Sequence, residues 1–184
     1  VLNTVSIQND GAPLGSRAYF GFLDLGGSDM IVRSGNLADL GDAVRAWWNN
    51  GARDGGGIGS SLSGTAGVNQ FTTVGMLANT DQFGFTQFAS FDGVSLAGTD
   101  IILKYTYLGD VNLDGTINAI DINRVLNGWS NNLTGWHNGD TNYDGVINGT
   151  DYTNVLNAQG SVAGNPLGEA PTVSGAIPEP AALG

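Results

Sequence analysis

The sequence predicts a mainly β chain. A β-sandwich with one packed helix is expected over residues 1–108, a small α-helical module of paired loop–helix units over 109–158, and an extended tail over 159–184. Three observations lead there. Up to Leu108, short segments rich in Val, Ile, Phe, Thr and Tyr alternate with clusters of Gly, Asn, Asp and Ser, the pattern of strands and turns. A run beginning at Gly109 is then echoed from Gly139, thirty residues on. From Gln159 the composition shifts to Gly, Ala, Pro, Ser and Val.

The expected strands are residues 1–8, 17–25, 29–33, 70–77, 83–90 and 100–108. The last is the clearest, because Ile101, Leu103, Tyr105 and Tyr107 alternate with Ile102, Lys104, Thr106 and Leu108 and form one strongly apolar face. One helix interrupts them. Leu37, Leu40, Val44 and Trp47 or Trp48 recur at helical spacing after the cap residue Asn36, with Gly51 as the stop. That helix is expected to lie on the sandwich with Asp39, Asp42 and Arg45 outward. Residues 51–67, with Gly55, Gly56 and Gly57 in a row, read as a flexible loop; they lack the spacing of a phosphate-binding loop.

Charge narrows the function. The net charge is -11, and of 17 acids only Glu169 and Glu179 are not Asp, while Lys104 is the only lysine. Nucleic acid is excluded as a partner, since a polyphosphate needs basic patches. Oxygen-rich cation sites fit this balance. Without cysteine, disulfides and thiolate chemistry are absent. The mean hydropathy is -0.02, and no apolar run reaches the roughly 18 residues of a spanning helix. The chain opens directly on alternating apolar residues, as expected of a mature exported form.

The repeat carries the chemistry. Gly109-Asp110-Val111-Asn112-Leu113-Asp114-Gly115-Thr116-Ile117-Asn118 is echoed by Gly139-Asp140-Thr141-Asn142-Tyr143-Asp144-Gly145-Val146-Ile147-Asn148, and each run reaches a twelfth-position acid, Asp121 or Asp151. Calcium takes six to eight oxygens, and a twelve-residue EF-hand-like loop delivers them from positions 1, 3, 5, 7, 9 and 12. The first set is Asp110, Asn112, Asp114, the Thr116 carbonyl, Asn118 or its water, and Asp121. The second is Asp140, Asn142, Asp144, the Val146 carbonyl, Asn148 and Asp151. Gly115 and Gly145 stand at position 6, where the backbone turns sharply. Ile117 and Ile147 at position 8 are placed to pair their backbones between the loops. Two Ca2+ sites are therefore expected, and magnesium is disfavoured by its small octahedral shell.

This pair resembles the type I dockerin, a duplicated calcium module in which one loop and one following helix form each half. The resemblance implies an extracellular or cell-surface protein and a cohesin partner held by residues late in each loop and along the helix. There, Ala119-Ile120 and Gly149-Thr150 depart from the hydroxyl pair often found. A second resemblance lies in Ile177-Pro178-Glu179-Pro180-Ala181-Ala182-Leu183-Gly184, which looks like the start of a PEP-CTERM sorting signal of bacterial surface proteins.

Other features point to no enzyme. His137 is the sole histidine and has no nucleophile beside it in the sequence, and nothing selects a glycosidase pair from Asp24, Asp29, Asp81, Asp92 and Asp100. Trp47, Trp48, Trp129 and Trp136 read as core before sugar platforms. The expectation is a non-enzymatic, extracellular calcium-binding structural protein. It assembles with copies of itself into a surface filament or pilus-like fibre, with residues 1–8 or 172–177 adding to a neighbour's sheet edge. The alternative is a module that docks to a cohesin-like partner or to polysaccharide.

Overall fold

The computed structural model describes residues 1–2, 5–64, 70–80, 84–162, 167 and 172–173, and of 160–162 and 172–173 the backbone alone. Asp81, Glu169, Glu179 and the sorting-like motif at 177–184 lie outside the described residues. In chain order the elements are β1 Phe22–Asp24, β2 Asp29–Val32, α1 Leu37–Trp48, β3 Gly57–Gly59, β4 Thr72–Ala78, β5 Phe88–Phe91, β6 Val94–Ser95, β7 Ile101–Tyr107, α2 Ala119–Ser130, α3 Gly149–Val162 and β8 Thr172–Val173.

Among the described residues the strands form three small sheets, ordered β2-β7-β4, β1-β3 and β6-β5-β8. In the first, β7 runs antiparallel between its neighbours, with Lys104 opposite both Asp29 and Gly75. All seven residues of β7 are buried, so both of its faces are covered, where the alternation predicts one apolar face. On one face, a Cβ built on Gly75 would come 2.7 Å from Leu113 Cδ2 and 2.8 Å from Trp136 Nε1. On the other, the Met76 methyl reaches α1, 3.1 Å from where Gly41 would carry a Cβ. The sheet is thus enclosed between α1 and the loop–helix module. The sequence leads one to expect a second sheet over β7; Leu113 and Trp136 cover part of that face, and Phe91 of β5 meets Lys104, its ring centre 5.6 Å from Nζ.

Helix α1 forms as expected. The Asn36 side-chain oxygen accepts the N–H groups of Ala38 at 2.9 Å and Asp39 at 3.1 Å, satisfying donors left open at a helix start. The helix ends at Asn49, in the left-handed region at φ 41°, and not at Gly51. Leu40, Ala43, Val44, Trp47 and Trp48 are buried. Asp42 is buried too, contrary to expectation. It accepts the Gly15 N–H at 2.6 Å, the Tyr19 hydroxyl at 3.0 Å and Arg45 Nε at 3.0 Å.

The glycine run is no flexible loop. Residues 57–59 are β3, parallel to β1 and buried. A Cβ on Gly55 would lie 1.9 Å from the Ala46 carbonyl oxygen, and one on Gly59 2.0 Å from the Trp47 ring. Missing side chains let α1 press its backbone onto this segment, a packing demand that composition alone reads as flexibility.

Among the described residues of 1–8, Leu2 forms one bridge to Val32 and no strand appears. Strand β8 pairs antiparallel with β5 of its own chain, Val173 opposite Phe88.

Candidate metal centre

The two loops are built alike from the backbone upward. Position 4 is left-handed in both, Leu113 at φ 61° and Tyr143 at φ 58°, and so is position 6, Gly115 at φ 83° and Gly145 at φ 87°. These reversals turn the chain around a common centre. The glycine before each loop packs on the helix of the other half. A Cβ on Gly109 would lie 2.9 Å from the Val155 Cα, and one on Gly139 2.7 Å from the Val125 Cα. Val111, Val125, Ile147 and Val155 form a small core between the halves, with Ile117 and Ile122 packed against it. No β-bridge joins Ile117 to Ile147 among the described residues, so the expected backbone pairing does not form.

The first-position acids are oriented the same way. Asp110 Oδ2 accepts the Gly115 N–H at 2.9 Å, and Asp140 Oδ2 accepts the Gly145 N–H at 3.1 Å. The twelfth-position acids tie the loop start to the helix start. Asp121 accepts from Val111 N at 3.0 Å and from Asn118 N at 3.0 Å, the latter closing a capping box on α2. Asp151 accepts from Thr141 N at 2.9 Å and from Asn148 N at 2.9 Å. At positions 3 and 5, the Asn112 amide donates to Asp114 and the Asn142 amide to Asp144, each at 2.8 Å. Asp114 also accepts from Thr116 N at 2.9 Å, and Asp144 from Val146 N at 2.8 Å. The Asn118 amide reaches the Thr116 hydroxyl at 3.2 Å and the Asn148 amide the Val146 carbonyl at 3.4 Å.

Electrostatics set the cost of this arrangement. Burial pushes the Asp110 carboxyl up to about 7, with the Thr106 hydroxyl opposing and the Asp121 charge adding. Burial raises Asp121 to about 6, and burial with the Asp151 charge raises Asp140 to about 6. A cation relieves all three. The Oδ1 atom of Asp140 is buried and has no hydrogen-bond partner, the condition of an oxygen that lacks its ligand. Hard oxygen donors on a glycine-turned loop fit calcium. Among the described residues no three His, Asp or Glu side chains stand together as an assembled metal group.

Four residues outside the expected ligand set build this centre. Thr106 on β7 donates its hydroxyl to Asp110 Oδ2. Lys104 Nζ donates to the Leu113 carbonyl at 2.9 Å, Trp136 Nε1 to the Asp110 carbonyl at 3.0 Å, and the Tyr143 hydroxyl to the Val74 carbonyl at 2.6 Å. Trp136 stacks on Tyr143 with ring centres 5.3 Å apart. The one available signal was a lone lysine on an apolar strand just before the first loop.

Of the remaining candidates, Asp29 and Asp92 come together near Lys104, where burial first, and the Asp92 carboxyl beside it, push Asp29 up to about 7; the others disperse. Trp47, Trp48 and Trp136 are buried and closed to sugar, while Trp129 is 44% exposed. Asp100 is tied to Arg33, and Asp24 accepts from the Gly26 and Ser61 amides at 2.9 Å each. His137 sits in the short turn Trp136–Asn138 between the halves.

No curated protein and no solved structure matches the chain. Residues 108–159 match the family model of the dockerin type I domain, so the loop–helix repeat at the centre of this geometry is a dockerin-like, calcium-binding module.

Proposed function

We propose that the chain is an extracellular or bacterial cell-surface protein that presents a calcium-loaded dockerin-like module for docking to a cohesin-like partner. Two ions would be held, one by Asp110, Asn112, Asp114, Thr116, Asn118 and Asp121, the other by Asp140, Asn142, Asp144, Val146, Asn148 and Asp151. The observation that carries the docking is the match over residues 108–159 together with what the module exposes. Ile120 and Leu126 on α2 and Leu156 on α3 are 53%, 42% and 40% exposed, and Leu126 and Leu156 hold equivalent places in the repeat. Such side chains on the outer faces of the two helices suit an apolar contact with a partner.

This reading reverses the order of the two sequence expectations. The docking reading has the family match behind it. The filament reading has no such match, and of the two segments it offered, Thr172–Val173 of 172–177 already pairs with β5 of its own chain. The chain acts by binding, without catalysis, because no nucleophile and base pair is supplied by its sequence.

A cohesin panel is the test. The full chain, loaded with calcium, is expected to be retained by at least one cohesin and released by EDTA. Retention by none, with calcium bound, refutes docking; retention on polysaccharide alone replaces it by the carbohydrate-binding alternative.

A further inference from the structure

The two loops share ligands and geometry but not support. Thr106 stands four residues before Asp110, and Trp136 stands four residues before Asp140, the equivalent place in the repeat. Both serve the first loop. The Thr106 hydroxyl bonds Asp110 Oδ2, the oxygen already turned to the Gly115 N–H, while Oδ1 accepts the Asp114 N–H at 3.0 Å. Trp136 holds the Asp110 carbonyl and Lys104 holds the Leu113 carbonyl. The Leu167 N–H closes over the loop onto the Gly115 carbonyl at 2.8 Å.

The second loop lacks these. Asp140 Oδ1 is buried without a partner, and open space surrounds Gly145 where Leu167 covers Gly115. Asp144, Gly145 and Val146 are exposed, whereas Gly115 is buried and Asp114 and Thr116 half-buried. Among the described residues its one side-chain tie to the sheet is the Tyr143 hydroxyl, and Asp140 is held from within its own loop alone, by the Gly145 N–H.

We propose that Thr106, aided by Lys104 and Trp136, is a positioning residue for the first calcium loop, and that the two loops are therefore unequal. The first keeps its shape without the ion and binds it more tightly; the second takes its shape from the ion. Groups that orient a metal ligand without touching the metal commonly contribute ten- to a hundredfold in affinity, and preorganisation lowers the ordering cost of binding. The inference rests on the calcium sites proposed above.

The experiment is a calcium titration of the full chain by calorimetry, with Asp114→Ala and Asp144→Ala assigning the steps to loops, and amide exchange read in EDTA. Two steps are expected, the tighter lost in Asp114→Ala. Thr106→Val should weaken that step about tenfold and leave the other within about twofold, while Thr106→Ser, which keeps the hydroxyl, stays near the parent. In EDTA, amides 111–118 should exchange more slowly than 141–148. Equal weakening of both steps by Thr106→Val, no weakening, or equal exchange in the two loops overturns the inference. A parent chain that takes up no calcium refutes the calcium sites instead, and the exchange comparison still decides the asymmetry.

Discussion

The N-terminal part and the dockerin-like module differ most in what their cores are made of. The larger core spans β2, α1, β3, β4, β5 and β7 and also takes in Leu113, Trp136, Tyr143 and Ala158 from the module. The module's own core is four aliphatic side chains, Val111, Val125, Ile147 and Val155. A unit of about fifty residues with so little apolar burial needs a further source of stability, commonly a metal. Here the sheet it leans on is one such source, and the proposed calcium ions would be a second. The boundary drawn at 108 and 109 thus runs through a common core, and the module is no bead on a linker.

Removing calcium should break this comparison most. Two sites at hundredfold excess over their Kd would each stabilise the fold by about 2.7 kcal/mol. EDTA should lower Tm by many degrees and, because Leu113 and Trp136 cover β4 and β7, should speed amide exchange in those strands as well as in the loops. Exchange confined to 109–158 would show the cores to be independent. The pH dependence should also be lost when calcium binds. In EDTA, Asp110 near 7 and Asp121 and Asp140 near 6 retain protons that the unfolded chain has released at about 4, so stability falls as pH rises from about 4 to 7. With calcium bound these carboxylates are ionised in the folded state, as they are in the unfolded chain above about pH 4, and stability should stay nearly level over the same window. Parallel Tm curves would sink this account.

Trp136→Ala tests the shared core from the side chain. Its ring is fully buried and its loss should cost about 3–5 kcal/mol, lowering the Tm of sheet and module together in one transition. Two separated transitions would mean the module stands alone. Gly75→Ala forces a methyl into the same contact and should cost about 1–3 kcal/mol, read by urea midpoint. Tyr143→Phe removes one hydrogen bond to the Val74 carbonyl, at about 1 kcal/mol, and sharpens how much the second loop leans on β4.

The sequence made the module legible and the body beneath it only partly so. Glycines at position 6 and acids at 1, 5 and 12 are local requirements, and a repeat states them twice. Helix α1 was equally readable, since its cap and apolar spacing lie within one short stretch. β3 was not, because its glycines mark close approach to α1, and approach is a relation between distant segments. Asp42 was misplaced for the same reason, as its partners Gly15 and Tyr19 are remote in the chain.

By itself, then, the sequence determined the loop chemistry, because metal ligation in a twelve-residue turn is a matter of spacing. Only the tertiary structure decided that the two loops are not equivalent. That difference comes from Thr106 and Lys104, carried on β7 just before the first loop, and from Trp136, which reaches the Asp110 carbonyl from the turn between the halves.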